Sequence, residues 1–430
     1  MEKLLEIARR KAYQVEVFSQ STTSDGVSFE NGRLKDVESS MLSGVGVTVM
    51  KSGRLGTAYT RNLVDREELV DNALAALAGG VEADYELSAD AKLPELNTWD
   101  AGIEKLDSAT LVEECGRINA ALSAHTRGQV NVSAGTTDAA VRVLTSAGFD
   151  RTVRSSSYHC HFAAYFPGSY ASISRVIADK RFVPASEADL AYVVETYNAS
   201  EREVKPPSGP TRILFLPGSI YTLVWRLTAA TSGRTVYEKV SPLQEKVGKQ
   251  VLSPFLTLTD APLDDSRPGA RSFDDEGTPC RNRSVFERGA LRGFHTDRFY
   301  AWKLKAEPTG NGWRSDITSR PAPSLSHLRI EPGRQSFADL LKEMNEGVIV
   351  GGALGAHSGN ILNGDYSIGL SPGLRVENGT IVGHVKDAMV SGNVYEDLKR
   401  VVAVGVRVEP AYMGWFPPLL LDGISFATRA

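Results

Sequence analysis

Three groups of side chains in this sequence are of types that do chemistry. Phe273-Asp274-Asp275-Glu276-Gly277 concentrates three carboxylates before a glycine. Paired carboxylates serve as general acid and base or hold a hard cation, although a charged surface turn accounts for them as simply. His159-Cys160-His161 gathers metal-ligand types in one place. Residues two apart on a strand share a face, so both imidazoles can approach one ion. A site needs one or two further ligands, and the spacing supplies none. Two polar residues on a solvent face, with Cys160 turned to the core, is the simpler reading. His357 lies beside Ser358 in the glycine-rich run Gly351–Asn360. Neighbours in sequence do not make a catalytic triad, so His357 reads as a loop histidine near a binding groove.

The element that must organise these groups is Thr211–Gly233, TRILFLPGSIYTLVWRLTAATSG. Ile213–Leu216 is a short apolar run of strand type, Pro217-Gly218 reads as a turn, and Ser219 as the N-cap of a helix. Strand, tight turn and helix commonly present catalytic groups, because the helix's first turns face the cleft above the strand. This helix offers Tyr221, Leu223, Val224, Trp225, Leu227 and Ala230, with Arg226 the only charged side chain before Arg234. It has the setting of an active site and carries neither base nor metal ligand.

The stretch resembles the TldD/PmbA family, paired intracellular proteins of which the TldD type is a zinc metallopeptidase. In that type the helix carries H-E-x-x-x-H, two zinc ligands with a glutamate base. Aligning Leu216-Pro217-Gly218 with the family's turn puts Trp225 at the first histidine, Arg226 at the glutamate and Ala230 at the second histidine. Indole and methyl bind no zinc, and a guanidinium is neither ligand nor base. The family's third ligand is a cysteine near the C-terminus, whereas the last cysteine here is Cys280. Asp274–Gly277 match the family's D-D-E-G. Thr309-Gly310-Asn311 resembles its S-T-G-N loop, with Pro308 in place of serine; Gly364-Asp365-Tyr366-Ser367 and Gly392-Asn393 match two later segments. The N-terminal half matches mainly through Phe29–Tyr59.

The resemblance implies the PmbA (TldE) type, a partner lacking the metal site, and a two-domain α+β fold. Its expected parts are an N-terminal α+β domain over 1–205 and a protease-core-like domain over 206–430. It implies a chain inactive alone, without cofactor, zinc belonging to a TldD-type partner. That partner, or a second copy, would close a cleft over peptides or unfolded segments. Asp274, Asp275, Glu276, Gly277, Thr309, Gly310, Asn311, His357, Asp365 and Tyr366 are then candidates for contact with substrate. Trp225, Arg226 and Ala230 form a pseudo-active site in which Trp225 fills the volume of the metal shell and Arg226 pairs with Asp274, Asp275 or Glu276. The rival reading is a stand-alone homodimeric peptide-binding or scaffold protein; a DNA-associated regulator fits less well.

Composition bounds these readings. A chain of 430 residues suggests two or three domains. The net charge of −4 leaves no electrostatic footprint for nucleic acid. Three widely spaced cysteines make no disulfide framework. The N-terminus, MEKLLEIARRKAYQ, lacks the apolar run of a signal peptide, and no later run is long enough to cross a bilayer. The expected place is the cytoplasm, away from membranes.

Along the chain, residues 2–12 read as a helix and Tyr13–Ser19 as a strand. Hairpins follow around Asn31-Gly32 and Ser52-Gly53, and a helix after the capping pair Asp65 and Glu68. Helix, meander, helix is an α+β start. Residues 81–106 read as a surface loop. Leu111–Leu122 is helical, Val130–Ile177 is β, and Glu187–Tyr197 is helical. Glu201–Pro210, with two adjacent prolines, marks the domain boundary. An apolar residue, Glu, a turn residue and Gly recur at 29–32, 286–289 and 376–379, which predicts three similar hairpins.

Overall fold

The three recurring tetrapeptides close hairpins through the same two-residue turn. Asn31-Gly32 has φ of 51° and 76°, Arg288-Gly289 48° and 77°, and Asn378-Gly379 50° and 70°. Two successive left-handed residues give the turn whose twist matches that of the flanking strands. The computed structural model describes residues 1–428.

The N-terminal half is built on one antiparallel sheet. Its strands are β1 (Gln14–Glu30), β2 (Arg33–Lys51), β3 (Arg54–Thr60), β4 (Val130–Thr145), β5 (Asp150–Tyr165) and β6 (Ser172–Asp179), in the order β3-β2-β1-β4-β5-β6. The short runs visible in the sequence are segments of longer strands, because polar residues such as Ser24 and Thr137 continue the ladder where the sheet is wet. One face of β1 places Val15 and Val17 against the helices Glu2–Arg9 and Arg66–Ala75. Asp65 caps the second helix by accepting from the amides of Glu67 and Glu68. The opposite face places Glu16 and Phe18 against the C-terminal half, where Phe18 and Phe149 pack with Phe273 and Ile317.

The C-terminal half holds two larger sheets. β7 (Thr211–Phe215) lies inside a nine-stranded sheet, parallel to Gly347–Val350 on one side and antiparallel to Leu419–Thr428 on the other. A six-stranded sheet runs from Ala290–Leu291 to its opposite edge strand, Glu409–Ala411. The halves are not separately cored. Val193 and Tyr197 of the helix Glu187–Ser200 share one apolar cluster with Leu214, Ile349, Leu374 and Leu420.

Two expectations are corrected. Pro217-Gly218 is not a turn: the central helix spans Pro217–Ala230, with Leu216 as N-cap and proline in its first turn. Proline is favoured there because its missing N–H has no intrahelical partner to lose. Ser219 therefore caps nothing, and its Oγ donates to the carbonyls of Leu216 and Val350. Residues 81–106 are not a loose surface loop. Ala83, Leu87 and Ser88 are buried. Ser88 Oγ donates to the Glu276 carbonyl at 2.7 Å, and the Asn97 amide to Asp265 Oδ2 at 2.6 Å, so the segment straps one half to the other.

Candidate functional site

The central helix turns one face inward, where Ile220, Leu223, Leu227 and Ala230 join the C-terminal core. Trp225 is half-buried on the opposite side and lines a cleft of about 910 Å³ together with Tyr221, His357, His327, Tyr412 and Trp415. Tyr221 and Tyr412 meet edge to face, their ring centres 5.6 Å apart. Two sheet edges end at this cleft. Pro410 and Ala411 of the outer strand of the six-stranded sheet form part of its wall. So do Gly355 and Ala356, directly after the outer strand Ala353–Leu354 of the nine-stranded sheet. Burial holds the imidazole of His327 below the usual histidine range, so it is neutral at pH 7.

Arg226 is fully buried, but not against the acidic residues expected for it. Its Nε donates to the Asp365 carbonyl at 2.8 Å, one terminal nitrogen to the Thr222 carbonyl at 2.6 Å and the other to the Ser358 carbonyl at 2.7 Å. The guanidinium thus ties the helix to Ser358, next to His357 in the glycine-rich run, and to Asp365, where the following strand begins. A buried cation without a carboxylate is costly unless every nitrogen finds an acceptor, and here each does. Burial lowers its pKa from the usual arginine value.

Asp274, Asp275 and Glu276 are occupied elsewhere. Asp274 accepts from the backbone amides of Glu276, Thr278 and Gly312. Asp275 accepts from the Arg271 side chain and the Arg314 amide, and Glu276 from the Arg298 amide. All three are buried. Burial pushes the Asp274 carboxyl up to about 7 and that of Glu276 well above its normal range, the latter helped by the negative charge of nearby Asp297. Gly277 closes this turn at φ 75°, with Phe149 so close that a Cβ would lie 2.8 Å from its ring.

The later motifs meet these residues in two knots. Gly310 accepts from Cys280 Sγ, and Thr309 Oγ1 bonds both Asn311 and Thr296. Asn311 donates to Asp260 at 2.8 Å. Asp260 in turn accepts the amides of Ser326 and His327, which border the cleft. In the second knot Asp365 and Tyr366 lie directly across the ladder from Asn393 and Gly392. Tyr366 is buried and donates to Asp397, and a Cβ at Gly392 would sit 1.9 Å from that carboxylate. Asp365 is exposed and accepts from Asn393. Of the residues expected to contact substrate, only His357 lines the cleft; Asp274, Asp275, Glu276, Asn311 and Tyr366 are buried in the protein.

Trp225, Arg226 and Ala230 do not fit a zinc ion, since none offers a donor to it. Among the described residues no three His, Cys, Asp or Glu side chains are grouped so as to hold a metal. His159 and His161 share a face of β5 opposite Gly135 and Ser133, with Cys160 buried behind them. Gly369-Leu370-Ser371-Pro372-Gly373 has the spacing of a nucleophile elbow. Ser371, however, joins two strands and donates its amide to Gly352, so the strand-to-helix turn such a serine needs is missing. The sequence names Tyr221 on the helix, one turn before Trp225, but gives no local sign of His327, Tyr412 or Trp415: His327 lies in the bend before Leu328–Ile330, Tyr412 in the turn before Gly414–Phe416, and Trp415 on that strand.

The fold and site define a class: a mixed α+β protein whose central strand–helix unit walls an aromatic cleft. The chain belongs to the PmbA/TldD family of metallopeptidases. Residues 208–428 match the family model for the PmbA/TldA metallopeptidase C-terminal domain, and residues 15–77 that for the PmbA/TldA metallopeptidase domain 1. Metalloprotease PmbA of Escherichia coli O157:H7 is 28% identical over 428 residues, covering 94% of this chain and 90% of that protein. A metalloprotease of Methanothermobacter thermautotrophicus is 26% identical over 423 residues, covering 94% and 90%. TldE from Thermococcus kodakarensis, 22% identical, has the same fold, with a TM-score of 0.92 over 99% of both chains.

Proposed function

We propose that this chain is a PmbA/TldE-type subunit that walls the peptide cleft of a TldD-type metallopeptidase and supplies no metal ligand of its own. The observation that carries the reading is the fate of the three helix positions. Trp225 forms cleft wall, Arg226 bonds only carbonyls, and Ala230 is core, so none holds a reacting group. The two sheet edges at the cleft support a role toward extended chains, whose backbone pairs with an edge strand regardless of sequence. Three free, buried cysteines suit the reducing cytoplasm. Among the described residues no helix is long and apolar enough to cross a membrane.

The test is metal content and peptidase activity, measured for the purified chain alone and mixed with a TldD-type paralogue from the same genome. The expected result is substoichiometric zinc and no cleavage alone, with unfolded casein cleaved by the mixture and more slowly by the paralogue alone. One tightly held zinc per chain, or cleavage by this chain alone, overturns the proposal.

The second reading, a homodimer working without such a partner, is favoured by one observation. The outer edge of β2 is unpaired from Arg33 to Gly44, because β3 covers only Val45–Lys51, and Leu34, Val37, Met41 and Leu42 are exposed along it. A bare edge of that length is a template for pairing with another chain. Light scattering with and without the paralogue separates the two.

A further inference from the structure

The cleft is large and aromatic. The rings of Tyr221, Trp225, Tyr412 and Trp415 line it with Pro410, Met413 and the imidazoles of His327 and His357, and no Asp, Glu, Lys or Arg is among its lining residues. Surfaces of a chain with this many ionisable residues are rarely so uniform. The acidic residues that flank the lining in sequence, Asp179 and Glu409, are paired with Arg181 and with Arg175 and Arg407. Arg226 lies behind the helix with its nitrogens committed to carbonyls, and Arg267 stacks over Trp415 with its guanidinium carbon 4.6 Å from the ring centre. No carboxylate lines the wall to neutralise a lysine or arginine, and no lysine or arginine lines it to meet an aspartate or glutamate. A charged side chain entering the cleft would shed water without gaining a partner. Aromatic walls instead favour flat or rigid apolar groups, and grooves of tyrosine and tryptophan hold proline-bearing extended segments at little cost in ordering.

We propose that the cleft selects an extended peptide segment free of charged side chains, with proline and aromatic residues seated against the rings of Tyr221, Trp225, Tyr412 and Trp415. The proposal rests on the peptide-cleft reading above and adds the substrate class. Tyr412 is 74% exposed, so it is available to a ligand and its removal spares the core.

The test is calorimetric titration of the full chain with N-acetylated, C-amidated peptides of equal length. One series alternates proline, tyrosine and serine; two others replace tyrosine by lysine or by glutamate. The expected result is that the neutral series binds about tenfold or more tightly than either charged series. Tyr412→Ala should weaken the neutral series about fivefold or more, while Met41→Ala, on the distant β2 edge, leaves it unchanged. Equal binding of the three series, or an unchanged affinity in Tyr412→Ala, overturns the selectivity and leaves the peptide-cleft reading standing. No binding of any series removes both.

Discussion

Arg226 shows how a buried cation can work as an internal tie. Its guanidinium binds three carbonyls and holds the His357 loop to the central helix. Arg226→Met should leave those carbonyls without donors in the interior and destabilise the fold by about 2–4 kcal/mol. Hydrogen exchange localises the effect: amides between residues 356 and 365 should lose protection before those of β7. Uniform protection in the variant would show that the loop is held by something else. Installing Trp225→His, Arg226→Glu and Ala230→His together should destabilise further rather than bind zinc. The glutamate would face the carbonyls of Ser358 and Asp365, and the second histidine would enter a packed core. The presence of Trp225 at a cleft was readable from the sequence. The carbonyls of Ser358 and Asp365 that hold Arg226 were not, because backbone groups more than a hundred residues away carry no side-chain signature.

At the scale of elements, the hairpins, caps and helices were legible because each is fixed by a few neighbouring residues. Asn-Gly at a turn and Asp65 at a helix start act over four residues, and both were found where the sequence put them. The strap at 81–106 failed that reading. Its polar composition suggests solvent, but its backbone serves as partner for groups such as Arg298 and Thr145. The short helix Arg298–Leu304 that it touches makes a prediction about pH. Asp297 caps this helix, accepting the Tyr300 amide at 2.7 Å, and is nearly inaccessible to water. Burial raises its carboxyl to about 6. A carboxyl that binds its proton more tightly in the folded state favours folding below its unfolded pKa, near 4, and that advantage is lost as pH rises through 6. Asn caps helices as well as Asp and carries no charge. Asp297→Asn should therefore match the wild type near pH 3 and exceed it at pH 7.5, by as much as about 3 kcal/mol. Thermal melts across that range give the difference. A gap that shrinks with rising pH would contradict the assignment.

At the scale of the whole molecule, the two halves are joined by a common core, by the 81–106 strap and by ion pairs, of which Arg314–Glu16 is more fully enclosed than Arg175–Glu409. Arg314 in the C-terminal half donates to Glu16 of β1 at 2.7 Å, with both side chains almost wholly enclosed. Arg314 also donates to the Ser319 carbonyl and lies over the ring of Phe18, 4.7 Å from its centre. Neither partner could be paired from the sequence, since 298 positions separate them and β1 reads as an ordinary half-buried strand. A buried pair of this kind contributes little by itself, because desolvation offsets attraction, but losing one member strands the other. Arg314→Met should consequently cost about 3–5 kcal/mol and Glu16→Leu a similar amount, whereas the double variant should recover most of the loss. The shared cluster of Tyr197, Leu214 and Leu420 adds a second expectation. Because neither half can expose that cluster alone without losing part of its own core, urea should unfold wild type and both single variants in one transition, seen together by tryptophan fluorescence and circular dichroism. Additive single-variant effects would mean that the pair does not couple the halves, and two separated transitions would mean that the common core does not bind them into one cooperative unit.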